Sequence, residues 1–198
     1  HIPFCKQACH YCDFHFSTNL KKKDEMVLAL AKEIEMRKSE FQDEIVETIY
    51  FGGGTPSILQ IEDLKFLIDA VYKNYKVVEN PEITVEANPD DLTENRIIEL
   101  SNNKVNRLSI GIQSFFEDDL QLMNRAHNVE EAKKCLEIAT HYFDNISIDL
   151  IYGVPEMSNE KWLQNIETAL SFGVPHISSY ALTVEPKTAL HSFIQKGI

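Results

Sequence analysis

No stretch of this chain approaches the ~20 consecutive apolar residues that a membrane-crossing helix needs, and no charged-then-apolar opening marks a secretory leader. Linkers, low-complexity tracts and heptad repeats are also missing. Basic residues are few: 19 Lys and Arg stand against 31 Asp and Glu, a net charge of −12 with a pI near 5.0. That balance argues against a nucleic-acid groove or an anionic membrane face, and leaves a small molecule or a protein as partner. The glycine run Gly52-Gly53-Gly54 is not followed by G-K-[ST], and no G-x-G-x-x-G occurs, so neither a phosphate loop nor a dinucleotide fingerprint is present. Cysteine is scarce. Three of the four cluster as Cys5, Cys9 and Cys12 and Cys135 stands alone, an odd grouping that argues against a disulfide framework.

The 198 residues, 43% hydrophobic, suit one domain with a sizeable core. Strand-like and helix-like segments alternate along them. The apolar run before Cys5 reads as the first strand. Helical spacing of Val27, Leu30, Ala31 and Ile34 places a helix over 22–39, whose Lys21-Lys22-Lys23 start reads as solvated. Strands are expected at 45–51, 82–87, 105–112, 146–152 and 176–182. Between them lie a helix striped by Leu64, Leu67, Ile68, Val71 and Tyr72 and a short one capped by Thr93. A segment near 117–123 follows, then a helix opened by the Asn128–Glu131 capping box and another from Ser158 to Gly173. Cys135 falls on an apolar helix face as a small packing residue.

Alternating βα units imply an α/β fold with a parallel sheet. Six units are too few for a closed eight-stranded barrel, so the expected architecture is a partial, open TIM-type barrel, with a doubly wound sheet as the second choice. Cys5, Gly53, Glu86, Gln113, Asp149 and Ala181 each fall at or just after the C-terminal end of a different strand. Barrels build their sites along that whole edge, whereas a doubly wound sheet concentrates its site at one crevice.

The C-x3-C-x2-C spacing of Cys5, Cys9 and Cys12 lets three thiolates converge on one side of a tight turn. Structural zinc takes four ligands, commonly as two cysteine pairs, while a cubane iron–sulfur cluster held by three cysteines leaves one iron open to a ligand. A zinc knuckle completed by His10 or His15, or a loop with no metal, are the alternatives. With Tyr11 before the third cysteine, the loop resembles the signature of the radical S-adenosylmethionine (SAM) superfamily. The resemblance implies a [4Fe-4S] cluster on Cys5, Cys9 and Cys12, whose open iron chelates SAM and whose reduction cleaves it to a 5′-deoxyadenosyl radical. Thiols kept for a metal imply a reducing, cytoplasmic setting.

Other residues fit a ligand site. The glycines of GGGTP admit close backbone approach, and the motif resembles the superfamily's glycine motif at the methionyl end of SAM. Glu86 and Asp149 sit between apolar neighbours, where an unpaired carboxylate would cost several kcal/mol, and Glu86 suits ribose hydroxyls or an ammonium group. Gln113 offers a neutral donor and acceptor, and Arg125 a bidentate grip on a carboxylate.

The likeness extends through CKQACHYCDF, YFGGGTPS, VEANPDDL, RLSIGIQSF, LMNRAH, DLIYGVP and SSYALTVEP, and it is to the HemN/HemW branch. It implies SAM contacts at Tyr11, Gly53, Gly54, Thr55, Glu86, Gln113, Arg125, Asp149 and Ala181. HemN-type members are oxygen-independent coproporphyrinogen III dehydrogenases, and HemW-type members are heme chaperones that pass heme to respiratory proteins. Asp13-Phe14 stands where the dehydrogenases carry Gly and a further cysteine, Ser114 where they carry Asp, and His127 where they tend to carry Gln. The chaperone side is therefore expected, with heme as cargo, a heme-receiving respiratory protein as partner and an electron donor to the cluster. The other two expectations are a dehydrogenase acting on a porphyrinogen and a plain zinc scaffold. Residues 1–198 read as one radical SAM core domain, a fragment with further residues before His1 and after Ile198. Among His10, His15, His127 and His176, nothing in the spacing selects a heme ligand.

Overall fold

The computed structural model describes residues 1–41 and 44–197. Five strands, β1 (Ile45–Phe51), β2 (Lys76–Ala87), β3 (Arg107–Gln113), β4 (Asn145–Tyr152) and β5 (His176–Ala181), form one parallel sheet in sequence order. Helices α1 (Lys23–Met36), α2 (Ile61–Asn74), α3 (Glu94–Ser101), α4 (Glu117–Leu122), α5 (Val129–Tyr142), α6 (Asn159–Ser171) and α7 (Ala189–Lys196) alternate with them. Among the described residues the strand order never reverses and leaves no topological switch point, so the sheet is an open half-barrel rather than a doubly wound one.

The pleat separates two chemistries. Ile49, Phe51, Ile83, Val85, Leu108, Ile110, Ile112, Ile146, Ile148 and Leu150 are buried and form one core with Leu64, Leu67, Ile68, Ile97, Leu100 and Leu136 of the helices. The alternate positions Tyr50, Thr84, Glu86, Ser109, Gly111, Ser147, Asp149 and Ser178 are polar or small. In a closed barrel branched apolar side chains fill the interior. Here the concave face carries hydroxyls and carboxylates, and so suits a polar ligand.

Local signals held at the caps. Thr93 accepts from Arg96 N, the Asn128–Glu131 box is formed at both ends, Ser158 accepts from Lys161 N, and Gly173 leaves α6 with φ +73°. Cys135 packs in the core.

Three expectations are corrected. The apolar run before Cys5 is not a sheet strand: Ile2 makes a parallel bridge to Gly53 and Phe4 one to Ser17. Pro3 has no N–H to extend a ladder, and its carbonyl is taken by Ser17 N at 2.9 Å. Next, β2 begins at Lys76, before the expected 82. Its pairing with β1 jumps from Val46–Val77 to Thr48–Glu82, passing over the Asn80-Pro81 step that reads as a turn in sequence. Asn106 stitches that irregularity, donating to Pro81 O at 2.8 Å and accepting from Ile83 N at 2.7 Å. Finally, Lys23 is not simply solvated, because its Nζ pairs with Asp24 and Asp63, each at 3.0 Å.

Candidate functional site

A cavity of about 510 Å³ opens at the C-terminal edge of the sheet. Cys5, Cys9, Cys12, Tyr11, Gly53, Gly54, Thr55, Glu86, Gln113, Arg125, Asp149 and Ala181 all line it, so every site residue expected from the sequence comes to one place. A second hollow near Lys6, Gln60 and Arg96 holds none of them.

The cysteine loop is held by backbone bonds: Cys5 N donates to Ser17 O (3.1 Å), His10 N to Met123 O (3.1 Å) and Leu190 N to His10 O (2.8 Å). All three thiols line the one cavity. Among the described residues no three His, Cys, Asp or Glu side chains stand close enough to hold one metal ion. A tetrahedral zinc needs its donors within about 2.0–2.3 Å of one centre, whereas a cubane distributes its cysteines over separate irons. The donor set therefore fits a polynuclear group better than zinc. His10 is also committed elsewhere, its Nδ1 2.9 Å from Leu122 O and its ring edge-on to Phe193. Burial pushes the Cys5 and Cys12 thiols above the ordinary range, an environment that favours thiolates only beside a positive charge.

Arg125 is the main cation of the cavity wall. Its Nη2 donates to Asn88 Oδ1 at 2.6 Å and Gly111 O at 2.9 Å, its Nη1 to Cys9 Sγ at 3.3 Å, and its Nε is buried without a partner. Burial works against its charge, but Tyr11 and Cys9 hold it protonated. Gly111 makes this placement feasible, since a Cβ there would lie 2.8 Å from Gln113 Nε2 and 3.2 Å from Arg125 Nη2. Gly54 is equally constrained, a Cβ meeting Phe4 O at 2.6 Å and Cys5 Sγ at 3.0 Å.

Gln113 ends β3 with φ +69°, where the β3–β4 register shifts between Ile110 and Gln113. Such an irregularity re-aims a side chain. The turn after it is fixed from beneath: Asn165 of α6, fully buried, accepts from Phe115 N at 2.6 Å, Ser114 Oγ donates to Asp119 Oδ2 at 2.6 Å, and Lys161 Nζ donates to Asp119 Oδ1 at 2.6 Å. Ser114, where the resemblance notes an Asp in the dehydrogenases, thus sits directly on a carboxylate.

Asp149 lies across the cavity. Burial, and then the charge of Glu86, raise its pKa to about 6, with Arg125 and Ser178 opposing. His127 is buried with Nε2 3.0 Å from Ile112 O; burial and Arg125 lower its pKa to about 4, so it is neutral and closed to solvent. Sequence reasoning missed Asn88, Ser109 and Gly111 as lining residues. In the sequence the Asn88-Pro89 step carries only a strand-stop signal, yet Asn88 joins Arg125 to Thr55, donating to Thr55 Oγ1 at 3.3 Å.

Comparison with known proteins agrees with this layout. The Radical SAM superfamily profile matches residues 1–169. The Heme chaperone HemW of Bacillus subtilis (strain 168) is 40% identical over 200 residues, covering 100% of this chain and 53% of that protein. The HemW of Escherichia coli (strain K12) is 37% identical, covering 97% of this chain and 52% of that protein. The chain spans about half the length of the curated relatives it matches. Among solved structures, the coproporphyrinogen III oxidase HemN from Escherichia coli, a radical SAM enzyme, superposes with a TM-score of 0.87 at 28% identity, over 97% of this chain and 45% of that one. The archaeal Methanocaldococcus infernus Elp3 shares the fold alone, with a TM-score of 0.66 at 21% identity over 86% of this chain and 45% of that one. With its profile match over most of its length and its half-barrel geometry, the chain belongs to the radical SAM superfamily.

Proposed function

We propose that residues 1–198 form one radical SAM core domain that holds a [4Fe-4S] cluster on Cys5, Cys9 and Cys12 and SAM against Tyr11, Gly53, Gly54, Thr55, Glu86, Gln113, Arg125, Asp149 and Ala181, and that it serves a heme chaperone. The observation that carries this reading is the gathering of all twelve residues around one cavity. When bound, the cluster supplies the electron for radical chemistry. The protein's own groups bind and orient: Arg125, with its unpartnered Nε, suits the carboxylate of SAM, and Glu86 and Asp149 suit its ammonium and ribose hydroxyls. Gly53 and Gly54 let the ligand lie against the backbone.

Heme as cargo, a heme-receiving respiratory protein, an electron donor and a cytoplasmic setting complete the proposal. It is supported by the 40% and 37% identity to HemW proteins and by Asp13-Phe14 after Cys12, with the Phe14 ring 68% exposed at the rim of the cysteine loop. No helix among the described residues is long and apolar enough to cross a membrane. The second reading, coproporphyrinogen III dehydrogenase, is favoured by the close superposition on HemN.

One experiment separates them. The full-length protein is reconstituted with iron and sulfide without oxygen and titrated with heme by absorption, with a parallel assay for coproporphyrinogen III decarboxylation. Heme is expected to bind stoichiometrically with no decarboxylation. Decarboxylation with SAM consumed would overturn the chaperone reading.

A further inference from the structure

Tyr50, on the strand that leads into the glycine run, places its hydroxyl 2.8 Å from Glu86 Oε1 and donates to it. From the turn that follows, Gly53 N–H donates to Glu86 Oε2 at 2.9 Å. The carboxylate is thus gripped at both oxygens by β1 and its turn, across the β1–β2 boundary. Gly52 makes the grip close: a Cβ there would lie 2.8 Å from Tyr50 Cε1 and 3.0 Å from both Glu86 Cδ and Oε1. Burial, and then Glu86, hold the phenol protonated, its pKa raised to about 12, so at neutral pH it is the donor toward Glu86.

Glu86 lines the cavity and Tyr50 does not. The phenol therefore reaches a ligand only through the carboxylate. A free glutamate samples several rotamers, and ordering it on binding costs entropy. One held by two donors is already ordered, with lone pairs left over for a ligand.

We infer that Tyr50 is a positioning residue: through its hydrogen bond it fixes the Glu86 carboxylate in the orientation that receives hydroxyl or ammonium donors, and so sets the affinity of the cavity for SAM. This rests on the reading of the cavity as a SAM site.

The test is SAM binding by equilibrium dialysis on the full-length, cluster-reconstituted protein and on Y50F, E86Q and the double variant. Y50F keeps the ring against Gly52 and the iron content of the parent. It is expected to weaken SAM binding roughly tenfold, the low end for losing one hydrogen bond to a charged group, because the phenol acts through the carboxylate. E86Q is expected to weaken it further. The double variant should bind no more weakly than E86Q, because a phenol acting through the carboxylate has nothing left to act through. A purely structural role would not give that result. Parent-like binding by Y50F, or full additivity in the double variant, would overturn the inference alone. No SAM binding by the iron-loaded parent would overturn the cavity reading and the inference with it.

Discussion

Cys9→Ala is expected to abolish iron loading while the domain stays folded, unfolding at the temperature of the cluster-free parent. The loop that carries Cys9 is held by main-chain bonds to Met123, Ser17 and Leu190, none of which uses a thiol. What the substitution removes is one of three candidate ligands and the sulfur that accepts from Arg125 Nη1. That guanidinium keeps its bonds to Asn88 and Gly111, so no new buried charge is stranded. Iron and sulfide per chain after anaerobic reconstitution, with a thermal melt followed by circular dichroism, give the two readouts. Cys135→Ala is the control: it leaves a small void in the core, and Cys135 does not line the site cavity, so it should load normally and melt lower. Full cluster content in the Cys9 variant would sink the ligand assignment.

Asp149→Asn is expected to stabilise the cluster-free domain above neutral pH while weakening SAM binding. Burial first, and the Glu86 charge second, hold the Asp149 pKa at about 6 against an ordinary 3.8. A carboxyl that binds its proton more tightly when folded lowers folding stability once both states have lost it. The sign follows. Below pH 3.8 both states are protonated and there is no penalty; the penalty grows between 3.8 and about 6, and is complete above. Its size is about 2 kcal/mol after allowance for partial exposure. The variant should therefore gain about that much in urea unfolding near pH 8 and almost nothing near pH 4. A gain of equal size at both pH values would mean that packing, not charge, is the cause. Such a trade of stability for a ligand-ready group is usual at binding sites.

Much of this protein was legible in its sequence, because local physics wrote it there. Thr93, Asn128 with Glu131, and Ser158 each satisfy N–H groups at a helix start within three residues, so the caps could be read without the fold. Alternating strand and helix patterns implied a parallel sheet, and the cysteine spacing with GGGTP pointed to the site. The strand count depended on less local effects. Pro3 withholds an N–H, and the next donors of that segment, Phe4 N and Cys5 N, go to Ile2 O and Ser17 O rather than to a sheet, so the first expected strand shrinks to a bridge. The start of β2 was hidden because Asn80-Pro81 looks like a turn until Asn106, more than twenty residues away, bonds across it.

The tertiary structure alone decided how the site residues relate. Strand order in one direction made a half-barrel rather than a doubly wound sheet, a choice that depends on which strands pair and so cannot be read from any single segment. The same pairing set Glu86 beside Ser109 and Asp149 beside Ser178, putting two carboxylates on one concave polar face. It also showed that Asn88 and Gly111 serve Arg125, and that Tyr50 serves Glu86. Sequence by itself determined the chemical inventory of the cavity, since three cysteines, two carboxylates and an arginine must find partners wherever they lie. Their distances, and with them the charge each can hold, arose only when a parallel sheet brought residues 36 or more positions apart within hydrogen-bond reach.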